Sequence, residues 1–120
     1  MNTFKDLEVW KKSVDFVTLI YKLTDRFPRA EIYGITNQIR RASVSIPSNI
    51  AEGAGRQSHK EFIQFLYIAR GSVKEVETQL IIATNLGYLK QSALTETTQG
   101  LDEIGKMITG LLSYLKNKNS

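Results

Sequence analysis

The sequence predicts an all-α protein that folds as an antiparallel up-down-up-down four-helix bundle in a single domain, residues 1–120. Four long segments repeat apolar residues every three or four positions, which is the spacing of a helix with one buried face. No run alternates strictly between apolar and polar residues, so strand signals are weak. The connections between the segments are short, and short connections favour antiparallel neighbours.

The first predicted helix covers about residues 7–27, with Thr3 or Asp6 as its N-cap. It ends at the Phe27–Pro28 step, because the residue before a proline avoids helical backbone angles. Its apolar residues form two stripes, which are Leu7, Trp10, Val14, Val17 and Tyr21 on one side and Phe16, Leu19, Ile20, Leu23 and Phe27 on the other. Together the stripes are wider than one bundle seam requires. Either part of this face packs against another subunit, or the helix lies deep in the bundle.

The second predicted helix covers about residues 31–53, and Gly53 with Gly55 supplies its end. Pro47 lies inside it. A proline has no backbone N–H and crowds the carbonyl four residues earlier, so this helix is expected to be kinked near Pro47. The backbone groups that the proline frees are expected to bind nearby hydroxyls, those of Ser43, Ser45 and Ser48.

The third predicted helix is the longest and covers about residues 59–86. Ser58 fits as its N-cap, and Glu61 stands three residues later, as in a capping box. Gly87 follows the last apolar repeat and is expected to close the helix.

The fourth predicted helix covers about residues 93–115, with Ser92 as its N-cap. Its apolar residues follow a spacing close to a heptad. The polar tail, residues 116–120, is expected to be frayed.

Composition places the chain among globular proteins. Hydrophobic residues make up 42% of the chain and charged residues 23%, which suits one core and argues against disorder. The chain has no cysteine, which excludes a disulfide framework, a thiolate metal site and cysteine catalysis. Its first residues, MNTFKDLEVWKK, lack the apolar region of a secretory signal, and no stretch is long and apolar enough for a membrane span. The expected location is the cytoplasm, with no membrane partner.

The segment RRASVSIPSNIAEGAGR, residues 40–56, departs most from local rules, because it places polar side chains beside the apolar stripe of the second helix. The third helix carries a matching polar stripe. One interpretation is a functional site. The favoured interpretation is a buried polar network that fixes the register of the helices or the arrangement of subunits. Its predicted members are Ser45, Asn49, Glu52, Ser72 and Glu75.

Catalytic and metal-binding patterns are weak. A di-iron bundle needs Glu-x-x-His pairs, whereas this chain has one histidine, His59, and no such pair. His59 has no recognisable serine and acid partners, and the glycines of EGAGR lack the residues of a phosphate loop. We therefore expect no catalytic residue, metal or cofactor. An enzyme that uses Asn49 and Glu52 is the least favoured hypothesis.

Basic residues point to a different kind of site. The net charge is +4, a mild bias that is compatible with binding a polyanion, although taken alone it favours a solvated surface that serves solubility. Lysine and arginine clusters hold phosphates without reading a base sequence. The candidate phosphate contacts are Arg40, Arg41, Arg56, Lys60, Lys11 and Lys12.

Four stretches carry a family resemblance: FKDLEVWKKSVDFV, NQIRRASVSIPSNIAEGAGR, KEFIQFLYIARGSVKEVETQL and IGKMITGLLSYL. From Phe4 to about Leu115 the chain resembles the four-helix bundle family of 23S rRNA intervening-sequence proteins. More distantly it is similar to the accessory variability determinant proteins of diversity-generating retroelements, which bind nucleic acid. The positions that match the family's motif are Asn49, Glu52, Gly53, Arg56, Ser72, Glu75 and Glu77.

The resemblance implies a bundle that assembles into a homopentameric ring and has no established catalytic activity. The resulting hypothesis is a non-enzymatic homo-oligomer that binds RNA or DNA through basic surface patches. The alternative is a structural scaffold or protein-interaction module that binds no nucleic acid.

Overall fold

Four α-helices make up the computed structural model, which describes residues 3–119. They are α1 (Glu8–Thr24), α2 (Ile35–Ala54), α3 (His59–Asn85) and α4 (Gln91–Asn119). Each helix packs against two neighbours, in the pairs α1–α2, α2–α3, α3–α4 and α1–α4, and residues 3–119 contain no strand. The predicted all-α four-helix bundle is confirmed.

The connection between α1 and α2 is longer than predicted. α1 ends at Thr24 rather than near residue 27, and α2 begins at Ile35 rather than near residue 31. Between them, Arg29–Glu31 forms a short 3-10 turn, and Gly34 has backbone angles outside the helical region. The fixed φ of Pro28 and the bend at Gly34 therefore interrupt an apolar pattern that the sequence reads as continuous helix.

At the start of the chain, the predicted cap at Thr3 serves a different element. Thr3 and Asp6 form a capping box around a 3-10 turn, Phe4–Asp6. α1 itself begins after Leu7, which provides no side-chain cap.

The ends of α3 follow the prediction closely. The Ser58 hydroxyl accepts a hydrogen bond from the Glu61 backbone N–H at 3.1 Å. At the other end, Gly87 adopts a φ of +83°, and the Tyr88 N–H donates to the Ala83 carbonyl. These contacts make a Schellman motif, which needs a residue in the left-handed region and so favours glycine.

α4 is longer than predicted at both ends. It begins at Gln91, which places the predicted cap, Ser92, inside the helix. It continues to Asn119, so the part of the predicted frayed tail that the structure describes is helical, and Ser120 lies outside the described residues. Lys116 and Lys118 in the last turn favour this continuation, since cations stabilise the negative end of the helix dipole.

The contacts between α2 and α3 give their relative direction. Gly53 lies against Phe62, and Ser45 is hydrogen-bonded to Ser72. Residue numbers thus fall along α2 as they rise along α3, which is the pattern of neighbouring helices that run in opposite directions. The kink near Pro47, a buried residue inside α2, stays a prediction.

α1 buries one of its two predicted apolar stripes more fully than the other. Phe16 and Ile20 lie in the core, whereas Val14 and Val17 are half-buried and Tyr21 is 44% exposed. The helix therefore does not lie deep in the bundle of a single chain. Its second apolar stripe stays partly open along the flank.

Gly53 allows α2 to approach α3 closely. A Cβ atom built on Gly53 would lie 2.7 Å from the Cβ of Phe65 and 2.9 Å from Cδ1 of Phe62. Of the two glycines predicted to end the helix, Gly55 is its C-cap, whereas Gly53 lies within α2, which continues to Ala54. The requirement for glycine at residue 53 is therefore one of packing.

We predict opposite effects for two glycine-to-alanine substitutions. Gly110 lies inside α4, and a Cβ there would meet nothing within 4 Å. Gly110→Ala should stabilise the chain by about 0.5–1 kcal/mol, because alanine favours the helix. Gly53→Ala gains the same helix preference but overpacks the seam, so a net loss of about 1–2 kcal/mol is expected.

Urea unfolding followed by circular dichroism measures both changes. A Gly53→Ala variant as stable as the Gly110→Ala variant would show that the two phenylalanines move aside freely, and would contradict the prediction.

Candidate functional site

Three of the predicted network residues form one chain of hydrogen bonds between α2 and α3. Asn49 Nδ2 donates to the Ser45 hydroxyl at 2.9 Å and to the Ser45 carbonyl at 2.8 Å. The hydroxyls of Ser45 and Ser72 are 2.8 Å apart, and Ser72 Oγ donates to the Ile68 carbonyl. Since the Ser72 proton is used there, Ser45 is the donor to Ser72. The half-buried Ser45 hydroxyl thus accepts from Asn49 and donates to Ser72, and the buried Ser72 hydroxyl accepts from Ser45 and donates to Ile68.

The other two predicted members lie outside this chain of bonds. Glu52 is exposed, and its carboxylate forms an ion pair with Arg56 at 2.8 Å. Glu75 is also exposed and accepts a long hydrogen bond, 3.4 Å, from Nε2 of Gln79. The interior network is thus smaller than the sequence suggests, because Glu52 and Glu75 point their carboxylates to the flank rather than into the seam.

Asn49 and Glu52 do not share a site. Asn49 binds Ser45, whereas Glu52 and Arg56 line an open depression of about 610 Å³ beside Phe4. The least favoured hypothesis was an enzyme that uses Asn49 and Glu52 together. These two side chains have separate partners.

Arg40, the first of the six predicted phosphate contacts, serves packing. Its Nε donates to the Thr24 hydroxyl at 2.9 Å, and its guanidinium lies 4.7 Å from the centre of the Tyr21 ring. Both partners belong to α1, so this half-buried arginine joins α1 to α2.

Two of the serines near Pro47 do not bind the backbone carbonyl that the proline frees, that of Ser43. The Ser43 hydroxyl donates to the Arg40 carbonyl, and the Ser45 hydroxyl donates to Ser72.

Three more of the predicted contacts form ion pairs on the surface. Arg56 binds Glu52 and lies 4.9 Å from the Phe65 ring centre, and Lys11 binds Glu8 at 3.3 Å. Lys12 binds Glu103 of α4 at 2.9 Å. The hydrogen bond to Glu103, with its negative charge, raises the pKa of Lys12 above its ordinary value. Exposed pairs of this kind are weak, so these cations could exchange partners at low cost.

The remaining two predicted contacts are exposed and distant in sequence. Arg41 lines a shallow polar depression between α2 and α3, together with Ser45 and Glu75. Lys60 lies in the first turn of α3. The six predicted residues thus do not gather into one patch.

A basic groove that the sequence analysis missed lies between α3 and α4. We name it the α3–α4 groove; its cavity measures about 350 Å³. Three cations line it against one carboxylate, that of Asp102. Its lining residues are Arg70, Val73, Lys74, Leu101, Asp102, Gly105, Lys106 and Thr109.

An aromatic ring on α3 gathers cations from both helices of the groove. Arg70 lies 5.1 Å and Lys116 lies 4.9 Å from the centre of the Tyr67 ring. Further along α4, Lys118 lies 5.5 Å from the ring centre of the exposed Tyr114. These contacts hold three cations on one side of the α3–α4 pair, so this face is basic.

Only one sequence signal could have indicated this groove. Arg70 and Lys74 are one helical turn apart, which places them on one face of a helix. Lys106 and Lys116 come from a separate segment, and their approach depends on how α3 and α4 pair. A search for basic residues that are adjacent in the sequence therefore selected pairs such as Arg40 and Arg41 instead.

Two further properties bear on the kinds of site present. Within the part of the chain that the structure describes, no group of three or more histidine, aspartate or glutamate side chains is placed to hold a metal ion. None of the helices over residues 3–119 combines the length and the apolar character that a membrane span requires.

We predict energetic coupling between Ser45 and Ser72. Each single alanine substitution should cost about 1 kcal/mol, because each leaves a polar group of the other serine unpaired. The double variant should cost about 0.5–1.5 kcal/mol less than the sum, and urea unfolding of the four chains measures this difference.

The matched control combines Ser45→Ala with Thr78→Ala. The Thr78 hydroxyl donates within α3 to the Lys74 carbonyl, on the exposed side of the helix. This pair should be additive. Additivity in the Ser45–Ser72 pair as well would contradict a shared hydrogen-bond chain.

Of three comparisons with known proteins, two found a match. Among solved structures, it is similar to a protein of unknown function from the S23 ribosomal protein family of Bacteroides thetaiotaomicron. The TM-score is 0.81 and the identity 26%, over 88% of this chain and 95% of that chain. A comparison with curated proteins found no match. The model of the family described as 23S rRNA-intervening sequence protein matches residues 5–110.

These matches confirm the family resemblance seen in the sequence. The more distant resemblance, to accessory variability determinant proteins, stays a prediction. Because the family model covers most of the chain, the chain belongs to the 23S rRNA-intervening sequence protein family.

Proposed function

We propose that this chain is a non-enzymatic protein that binds RNA or DNA through the α3–α4 groove and the cations that flank it. The observation that carries the proposal is the convergence of Arg70, Lys74 and Lys106 on one groove. Cations from two helices suit a flexible polyanion that contacts them through its phosphates.

The charges of the groove favour a phosphate chain over an isolated cation or a neutral ligand. Arg70 and Lys106 form no ion pair with the described acidic residues, and Lys74 has a long contact, 3.6 Å, to Glu77. Arg70 and Lys74 stand one turn apart, about 6 Å along the helix axis. Successive phosphates could therefore contact successive cations.

The cations predicted from the sequence have a secondary role in this proposal. Arg41 and Lys60 are exposed, and Arg56, Lys11 and Lys12 form surface ion pairs that a phosphate can replace, with Arg56 also lying over the Phe65 ring. Arg40 is not part of the proposed nucleic-acid surface, because its Nε binds Thr24 and its guanidinium packs on Tyr21, outside the α3–α4 groove.

The same chain is proposed to act as a homo-oligomer. The support is the open apolar flank of α1, where Tyr21 is 44% exposed and Val14 and Val17 are half-buried. On α2, Val44 is 39% exposed and stands one turn after Arg40, which covers the Tyr21 ring. Five copies is the number that the family resemblance implies. A scaffold without nucleic-acid binding is the second candidate function, and this flank favours it.

The salt dependence of RNA binding tests the first proposal. Fluorescence anisotropy with a labelled single-stranded RNA, and with DNA of the same sequence, gives the affinity over a series of salt concentrations. The triple variant Arg70→Gln, Lys74→Gln, Lys106→Gln should bind weakly at low salt, with the slope of log K against log salt reduced by about 2–3.

The matched control changes the charge equally at exposed residues outside the groove: Lys22→Gln, Arg26→Gln and Lys90→Gln. Its slope should change less than that of the groove variant. Equal losses in the two triple variants would overturn the assignment to the groove, and unmeasurable affinity of the unmodified chain at low salt would overturn nucleic-acid binding itself.

Sedimentation velocity tests the oligomer. The unmodified chain should sediment as an assembly at micromolar concentration, and Val44→Lys should dissociate it, because the substitution places a charge in an apolar interface. Ile81→Lys changes an equally exposed apolar residue on α3 and serves as the control. A monomeric unmodified chain would contradict the proposal.

A further inference from the structure

A second cavity lies where the end of α1 meets the first turns of α2. It measures about 460 Å³, within the range of sites for small molecules. Its wall comes from α1, the connection and α2, so it is separate from the α3–α4 groove. The lining residues are Thr24, Asp25, Phe27, Pro28, Arg29, Ile32, Thr36 and Arg40.

One wall residue, Thr36, carries a buried hydroxyl without a partner. Thr36 is 2% exposed, and its Oγ1 forms no hydrogen bond with the described residues. Buried hydroxyls in native proteins nearly always have a partner, so an unpaired one needs an explanation. Its oxygen has almost no surface open to the adjoining cavity, so a ligand atom there could pair with it only after the threonine side chain turns about χ1.

A second wall residue, Arg40, is already held in place. The Thr24 hydroxyl accepts from its Nε, and the Tyr21 ring lies beneath its guanidinium. Its Nη donors have no hydrogen-bond partner among the described residues. A donor group that is ordered before binding loses little conformational entropy when a ligand arrives.

The remaining groups give the cavity a net positive and amphipathic character. Arg29 adds a second guanidinium, and Asp25 adds one exposed carboxylate. α2 begins at Ile35, and its N-cap, Gly34, provides no side-chain cap, so the N–H groups of the first turn also favour an anion, although the Glu31 carboxylate lies beside Gly34 and offsets part of this effect. Phe27 and Ile32 supply an apolar surface beside these donors.

We propose that this cavity binds a small organic anion, in which a phosphate or carboxylate group contacts Arg29 and Arg40 and, after a turn of the Thr36 side chain, the Thr36 hydroxyl. The apolar part of the ligand packs on Phe27, Pro28 and Ile32. Arginine forks match both oxyanions, and the cavity is too large for a bare phosphate alone. This site does not depend on nucleic-acid binding by the α3–α4 groove.

Titration of the full chain with phenyl phosphate, benzoate and inorganic phosphate tests the site and separates the two oxyanions. Thermal unfolding and the NMR shift of the Thr36 amide are followed at constant ionic strength, with chloride as the reference. An aromatic oxyanion should raise Tm and shift the Thr36 amide more than inorganic phosphate does. Equal effects of all three anions and chloride would overturn the proposal.

Two arginine substitutions distinguish a specific site from general charge. Arg29→Gln should weaken binding of the aromatic probe about tenfold, the loss expected for one charge-assisted hydrogen bond. Arg26→Gln removes the same charge from an exposed residue outside this cavity wall and should leave the affinity within about twofold. Equal losses in both variants would overturn the site.

Thr36→Val tests the buried hydroxyl directly. The methyl group replaces an unpaired hydroxyl of similar size, so the ligand-free variant should melt at or above the Tm of the unmodified chain. It should also bind the probe several-fold more weakly. A lower Tm with unchanged probe affinity would show that a water molecule satisfies the hydroxyl, and would overturn its role in ligand binding.

Discussion

The close approach of α2 and α3 at Gly53 is the constraint on which the bundle depends. Phe62 and Phe65 leave no room for a Cβ there, so the two helices meet at one register. In that register Ser45 lies opposite Ser72, and their hydrogen bonds are satisfied inside the seam. A shift by one residue would separate the serines and bring a side chain into the glycine's place, so packing and polar contacts select the same alignment.

The sequence predicted four helices because their apolar periods are long and regular, and it placed the ends of α3 well because Ser58 and Gly87 act locally. It misplaced the start of α2, since Ile32 continues the apolar period although it follows a 3-10 turn and is exposed. It also assigned Glu52 to the interior. Position on a helical wheel gives the direction of a Cβ but not that of the end of a long side chain. The Glu52 carboxylate turns outward, where it pairs with the exposed Arg56 four residues later.

The candidate site was harder to predict for a physical reason. Basic residues that are adjacent in sequence, such as Arg40 and Arg41, diverge on a helix, so one packs on Tyr21 while the other faces solvent. Arg70 and Lys106 are far apart in sequence and meet only because α3 and α4 pair. A surface that forms through the pairing of distant segments has no local sequence signature. Apolar periodicity therefore predicts the fold but not the binding surface.

The ion pair between Lys12 and Glu103 has a consequence for how the bundle opens. Of the four ion pairs among the described residues, it is the one that joins two helices; two others lie within α1 and within α3, and the pair of Glu52 and Arg56 joins α2 to the connection that follows it. It bridges α1 and α4, the pair of neighbouring α-helices with the least contact. Sparse packing and an exposed charge contact resist separation weakly, so the free energy of local opening is lowest along this seam. Since α1 also has less contact with α2 than α4 has with α3, we expect the backbone amides of α1 to exchange with solvent deuterium while α2 and α3 remain paired.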